Sequence, residues 1–152
     1  MIHVKTKPGL QVSLSHRLLK KAAQQTLEHQ AIPKPYSMTI LMSDDSQLQS
    51  LNRDYLEIDA PTDVLSFPSG ETDLESGEKY LGDVVISVPR AEQQAKTSGH
   101  PLEAEAQLLV VHGVLHLLGF DHAAADEKAL MWKAQGEILK SLGLGHLQVR
   151  EE

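Results

Sequence analysis

The sequence contains no cysteine, and this absence limits both its covalent and its metal chemistry. Disulfide bonds and thiolate ligands are excluded, so a bound metal would need histidine, aspartate or glutamate ligands. A chain without cysteine also suits a reducing compartment. Aromatic residues make up only 4% of the 152 residues, so aliphatic side chains must build most of the core.

Long apolar segments are absent as well. No run approaches the roughly 20 apolar residues that a membrane-spanning helix requires. The first residues, MIHVKTKPGLQV, contain no apolar stretch of the kind found in signal peptides. We therefore expect a soluble protein of the cytoplasm that makes no contact with a membrane.

The chain also lacks the excess of basic residues that marks a broad nucleic-acid-binding surface, since its formal net charge is −7. Its charge is nevertheless uneven, because six of the 14 lysines and arginines fall within the first 34 residues. A local positive face and an ordinary solvated surface both fit this distribution, and the second is the more common cause. Charge alone therefore does not identify a partner.

The alternation of apolar and polar residues predicts a layered fold. We expect strands over residues 2–6, 36–42, 64–67 and 81–88. Ser13 or Ser15 can cap a first helix that runs to about residue 29, and residues 43–45 (Ser-Asp-Asp) offer caps for a second helix through residue 56. Further helices are expected over residues 89–98, 101–118 and about 124–142. A length of 152 residues suits one domain spanning residues 1–152. Because strands and helices interleave, the pattern indicates an α/β or α+β layer domain with a sheet of about four strands.

Three histidines occur within residues 112–122, which read HGVLHLLGFDH. His112 and His116 are four positions apart, so a helix would place both imidazoles on one face. Gly119 lets the chain leave the helix, and His122 then arrives from another direction. Three such ligands would leave a fourth tetrahedral position open for water, which is typical of a catalytic site for one zinc ion.

A single histidine on an apolar helix is more often a core residue than a metal ligand. Three in one apolar segment favour metal binding, because an apolar surrounding penalises polar groups that have no partner. The spacing also resembles the metzincin protease motif H-E-x-x-H-x-x-G-x-x-H. The catalytic glutamate of that motif is replaced here by Gly113, which argues against proteolysis.

Two further segments accompany this motif, namely PTDVLSFP at residues 61–68 and LGDVVISV at residues 81–88. Together the three segments resemble the YbeY family of bacterial rRNA maturation factors, from about Asn52 to the C-terminus. The resemblance implies an α+β fold with α/β/α layers, in which helices flank a mixed sheet and the ligand helix packs on that sheet. It also implies a zinc ion held by His112, His116 and His122.

The activity that this resemblance implies is a single-strand-specific, metal-dependent endoribonuclease. Its roles would be 16S rRNA 3′-end maturation and late-stage 70S ribosome quality control in the cytoplasm. The implied partners are 16S precursor rRNA and the 30S and 70S ribosome, together with a small-subunit ribosomal protein and an Era-type GTPase.

One position departs from the family pattern. An arginine is expected shortly before PTDVLSFP, and Leu56 occupies its place. Arginine there could bind a phosphate with two hydrogen bonds, which leucine cannot do. Arg53 lies one helical turn earlier and is a candidate to reach the same cleft, with an ordinary exposed helix residue as the alternative.

Further polar residues are candidates around the metal. Asp121 is a candidate general base, or a hydrogen-bond partner for an imidazole N–H. An equally good interpretation is that Asp121 is a turn residue whose side chain bonds to its own backbone. Asp83 either lines the cleft or makes a turn at the end of its strand, and Ser66 is expected to shape the strand beside the site. We expect Trp132 in the core and the other five histidines at the surface.

These features favour a zinc-dependent endoribonuclease. A zinc metallopeptidase-like hydrolase is one alternative, although Gly113 leaves it without the expected base. The other alternative is a non-enzymatic ribosome-assembly factor with a vestigial zinc site, which Leu56 favours.

Overall fold

The computed structural model describes residues 1–121 and 123–147, which form four strands and five helices. The elements in chain order are β1 (Ile2–Thr6), α1 (His16–His29), β2 (Tyr36–Ser43), α2 (Asp45–Leu56), β3 (Val64–Pro68), β4 (Lys79–Ser87), α3 (Val88–Ser98), α4 (Leu102–Leu117) and α5 (Ala125–Ser141).

The four strands form one mixed sheet in the order β1-β2-β4-β3. Strands β1, β2 and β4 run parallel, whereas β3 lies antiparallel to β4 and forms one edge of the sheet. The expected mixed sheet of about four strands is therefore confirmed.

Helices cover the two faces of the sheet unequally. The main apolar cluster joins residues of α1, α3, α4 and α5 to one face, through Ile40, Val84 and Ile86 of the sheet. A smaller cluster packs Leu48 of α2 against Leu65 of β3 on the other face. This arrangement is the expected α/β/α layering, with α4 against the sheet.

Helix α4 lies at the centre of the larger layer. Of its 16 residues, 13 are buried, because it contacts the sheet on one side and other helices around the rest of its surface. This position explains why its sequence is apolar nearly all round rather than along one stripe. Any polar side chain on α4 must therefore find its partner inside the protein.

Several element boundaries differ by one or two residues from the sequence prediction, and β4 begins at Lys79 rather than Leu81. The strand expected over residues 81–88 ends at Ser87, because the Ser87 hydroxyl accepts a hydrogen bond from the Arg90 backbone N–H and caps α3. The helix expected to reach Leu118 ends at Leu117. Gly119 adopts a positive φ of 102°, as predicted for the residue that ends this helix.

No helix in the described parts of the chain, residues 1–121 and 123–147, is long and apolar enough to cross a membrane.

The contact between α4 and the sheet is closest at Gly113. A Cβ atom at this position would lie 2.6 Å from Val84 Cγ1 and 3.1 Å from Val64 Cγ2. Both neighbours are β-branched side chains of the sheet, which have little freedom to move aside. Glycine in a helix interior costs about 1 kcal/mol relative to alanine, so its presence here reflects the lack of space.

We predict that Gly113→Ala lowers the free energy of unfolding, although alanine is the better helix former. Overpacking of a core costs about 1–3 kcal/mol and should exceed the gain in helix propensity of up to about 1 kcal/mol. Denaturant unfolding measures the difference.

Gly136→Ala is the matched control. Gly136 lies within α5, and a Cβ atom there would have no neighbour within 4 Å. This variant should be more stable than the wild type by about 0.4–1 kcal/mol. If both variants proved more stable, the close approach of α4 to β3 and β4 would be wrong.

Candidate metal centre

Two of the three predicted metal ligands, His112 and His116, meet near the C-terminal end of α4. Their Nε2 atoms lie 3.2 Å apart, and the two rings are inclined at 74° with centroids separated by 4.7 Å. This distance fits a hydrogen bond that the His116 N–H donates to His112. It also fits a shared zinc ion, because two Zn–N bonds of about 2.0–2.1 Å at a tetrahedral angle place their nitrogens roughly 3.3 Å apart.

The His112 ring is held in one tautomer by a residue of α5. Its Nδ1–H donates a hydrogen bond of 3.0 Å to the Gln135 side-chain oxygen, and both side chains are buried. A neutral imidazole that is protonated at Nδ1 has its lone pair at Nε2. The Nε2 atom of His112 is therefore available as a ligand on the side that faces His116.

Edge strand β3 lies directly against the helical turn that carries the two histidines. The Ser66 hydroxyl donates a hydrogen bond of 2.6 Å to the Gly113 backbone carbonyl. One helical turn further along α4, Leu117 approaches Gly82 of β4. Gly82 has a φ of 130°, and a Cβ atom there would lie 2.2 Å from the Phe67 carbonyl oxygen and 2.9 Å from Leu117 Cδ1. Glycines in both the helix and the sheet thus allow the close approach that fixes the histidine turn.

The structure describes two of the three predicted metal ligands, His112 and His116. His122, the third predicted ligand, lies outside the described residues. Within residues 1–121 and 123–147, no three histidine, aspartate or glutamate side chains form a group able to hold a metal ion. The two imidazoles that are described fit zinc in donor type and in spacing.

Comparison with known proteins identifies the family of this chain. The family model described as Endoribonuclease YbeY matches residues 2–143. An Endoribonuclease YbeY from Pelotomaculum thermopropionicum is 45% identical over 130 residues, with 84% of this chain and 86% of the relative covered. The protein of the same name from Roseiflexus sp. is 41% identical over 150 residues and covers 94% of this chain and 93% of its own length.

The chain belongs to the Endoribonuclease YbeY family. This result confirms the interpretation of the three sequence segments as those of a YbeY endoribonuclease. A solution structure of a Thermotoga maritima protein aligns over 100% of this chain and 99% of its own, with a TM-score of 0.57 and 21% identity. That similarity supports the α+β fold alone.

The position of Gly113 bears on the protease alternative. A glutamate at this position, as in the metzincin motif, would have to pass its side chain through the space that Val84 and Val64 occupy. The absence of the protease base is therefore a consequence of helix–sheet packing in this YbeY chain, since any side chain at residue 113 would meet the sheet.

Arg53 and Leu56 lie on α2, on the opposite face of the sheet from the main cluster. The Arg53 Nε–H donates to the Asp54 carboxylate at 3.2 Å, and both side chains are more than half exposed. Leu56 is 54% exposed. Arg53 thus has an acidic neighbour, and its predicted contact with the cleft stays a prediction.

Asp83 does not join the histidines. It lies within β4 between Gly82 and Val84, and its carboxylate accepts a hydrogen bond from the Tyr80 hydroxyl. Burial and the bond to Asp83 raise the pKa of Tyr80. Because Val84 faces α4, its neighbour Asp83 points to the opposite face of the sheet.

Asp121 and Trp132 differ in their surroundings. Asp121 is exposed and borders a cavity of about 270 Å³ with Phe120, Glu127 and Leu130. The Trp132 ring lies 5.8 Å from the His112 ring, inclined at 35°, and packs against the core as predicted. Asp121 therefore remains a candidate for contact with substrate, whereas the Trp132 ring packs beside His112.

Sequence reasoning missed two interactions of polar residues. Gln135 was not considered, although it follows Met131 by four residues on the buried side of α5, where an amide among apolar side chains signals an internal partner. His100 was expected at the surface but lies 2.6 Å from the Glu105 carboxylate, which is fully buried. A buried carboxylate requires such a partner.

We predict that Gln135→Leu releases the His112 tautomer and destabilises the fold. The variant removes the oxygen that accepts the hydrogen bond from the buried His112 Nδ1–H, and a buried donor without an acceptor lowers the free energy of unfolding by about 1–3 kcal/mol. Nitrogen chemical shifts of the imidazoles in metal-free protein should show His112 protonated at Nδ1 in the wild type and in mixed tautomers in the variant.

Gln93→Leu, at an exposed position of α3, is the control and should change neither property. A wild-type His112 protonated at Nε2 would show that the hydrogen bond to Gln135 is assigned wrongly.

Proposed function

We propose that this protein is a zinc-dependent, single-strand-specific endoribonuclease of the cytoplasm that acts in 16S rRNA 3′-end maturation and in late-stage 70S ribosome quality control. The observation that carries this proposal is the pair of imidazole Nε2 atoms 3.2 Å apart in a chain of the YbeY family. Two nitrogens at this spacing suit one divalent ion.

The ligands of the single zinc ion would be His112, His116 and His122. When bound, zinc supplies Lewis-acid polarisation of a phosphate oxygen and lowers the pKa of water to about 7. The protein contributes the orientation of its ligands. Gln135 keeps the His112 Nδ1 protonated, and the buried side chains of α4 hold the two rings in place.

The residues around the ligands would bind and orient RNA. Asp121 is exposed and directly precedes His122 in the chain, and its carboxylate would take a proton from the attacking water or from a ribose 2′-hydroxyl. These two routes differ in their products, since attack by the 2′-hydroxyl leaves a 2′,3′-cyclic phosphate.

The partners that we propose are 16S precursor rRNA and the 30S and 70S ribosome. A small-subunit ribosomal protein and an Era-type GTPase would accompany them. These proposals rest on the family to which the chain belongs.

Two other functions remain as alternatives. A zinc metallopeptidase-like hydrolase would share the histidine pair, but Gly113 offers it no general base. A non-enzymatic ribosome-assembly factor with a vestigial zinc site would account for Leu56, which cannot bind a phosphate.

We predict that His116→Ala abolishes cleavage of single-stranded 16S precursor RNA and lowers the zinc content of purified protein from about one ion per chain to a small fraction of that. The variant loses one ligand of a three-ligand site. Product analysis of the RNA and elemental analysis of the protein measure the two effects.

His146→Ala is a matched control, because His146 is an exposed histidine remote in sequence from the motif. Cleavage of a peptide but not of RNA by the wild type would favour the peptidase. Ribosome binding without cleavage by either protein would favour the assembly factor. A wild type that binds no zinc would contradict the proposed metal dependence.

We predict that Leu56→Arg raises kcat/KM for RNA by about tenfold or more, since a hydrogen bond to a charged group contributes about 1.5–3 kcal/mol. Leu56 is 54% exposed, so arginine can replace it without disturbing the core. Leu56→Gln, which adds a polar but uncharged side chain, should have a smaller effect. A rate unchanged by arginine would show that residue 56 does not face the substrate.

A further inference from the structure

Tyr55 differs from every other aromatic residue of the chain. The chain has only six phenylalanine, tyrosine and tryptophan residues, and all lie within the described parts of the structure. The other five are buried or half-buried, whereas the Tyr55 residue is 67% exposed. An aromatic ring that is left in water gains nothing from the hydrophobic effect, so its position needs another explanation.

The Tyr55 ring is held by a second aromatic residue. It packs edge-to-face on Phe67 of β3, with ring centroids 5.3 Å apart and an angle of 66°. Leu56 and Ile58 beside it are 54% and 52% exposed. We call the packed Tyr55 and Phe67 rings, together with the exposed Leu56 and Ile58 that follow Tyr55 in the chain, the Tyr55 platform.

The platform lies one residue along β3 from the contact with the histidine helix. Successive residues of a strand point to opposite faces of the sheet. Ser66 faces α4 and donates its hydrogen bond to Gly113, next to His112, while Phe67 faces Tyr55. Because β3 is the edge of the sheet, a strand of RNA that passes this edge can contact the histidine turn and the platform together.

The charges around the platform restrict its occupant. Three residues next to Tyr55, Leu56 and Ile58 in the chain carry exposed carboxylates, namely Asp54, Glu57 and Asp59, and the Arg53 guanidinium is paired with Asp54. With leucine rather than arginine at residue 56, this setting disfavours a phosphate group, and it equally disfavours an anionic membrane surface. The flat, uncharged face of a nucleobase suits it, because bases in single strands stack on exposed aromatic rings.

We propose that the Tyr55 platform stacks one unpaired nucleobase of the RNA whose backbone lies at the histidine site. This assignment rests on the proposed endoribonuclease function and adds a substrate-positioning residue to it. It also accounts for preference for single-stranded RNA, since a base within a duplex has no free face to offer.

The experiment measures binding of a short single-stranded RNA in the presence of a chelator, which separates binding from cleavage. An abasic nucleotide replaces each nucleotide in turn. Wild-type protein should lose about 5- to 100-fold in affinity at one position, the range for loss of one stacked base. Tyr55→Leu should bind the intact RNA weaker by a similar factor and show no further loss at that position.

Two controls separate stacking from exposed apolar area and from folding. Tyr55→Phe keeps the ring and should behave as the wild type does. Leu74→Ala alters a leucine that is 98% exposed in the loop between β3 and β4, and it should leave RNA affinity unchanged. Thermal unfolding of all variants checks that the fold is retained.

Each outcome bears on the proposal. An abasic penalty of equal size in Tyr55→Leu and in the wild type, or no such penalty in the wild type, would overturn it. RNA affinity that is unchanged in Tyr55→Leu while ribosome binding is lost would assign the platform to a protein contact and also overturn it. A Tyr55-dependent penalty on RNA that the wild type never cuts would support stacking and contradict the nuclease.

Discussion

The close packing of α4 against the sheet at Gly113 is the contact on which the site depends. No other residue type leaves room for Val84 and Val64 at that distance, and the Ser66 hydroxyl bonds to the carbonyl of the same residue. The helix is therefore held in one rotational setting. His112 and His116, on either side of Gly113 in the chain, meet at their Nε2 atoms, and His112 also bonds to Gln135 of α5.

Burial then sets the chemistry of the two imidazoles. A polar group inside an apolar layer must be paired, and His112 is paired at Nδ1 with Gln135. The same hydrogen bond leaves the Nε2 lone pair facing His116, so one interaction serves both stability and ligand orientation. The apolar sequence around the histidines is the packing that makes this pairing obligatory.

The secondary structure was predictable from local signals. Ser15 and Asp44, each one of the caps that the sequence offered for the first two helices, accept hydrogen bonds from backbone N–H groups three residues later. The end of β4 was wrong by one residue, because Ser87 belongs equally to a strand pattern and to a helix cap. The capping hydrogen bond decides whether Ser87 ends the strand or continues it, and hydrophobic periodicity carries no information about that hydrogen bond.

What the sequence determined by itself is therefore local. The spacing of His112 and His116 sets them one turn apart on any helix, and the linked motifs identify the family. The tertiary structure alone decided that Gln135 holds His112, 23 positions away, that Ser66 bonds to Gly113, 47 positions away, and that Tyr55 lies on Phe67 at the sheet edge. These contacts join elements that come together only when the sheet and its helices pack, and no periodicity within one segment records them.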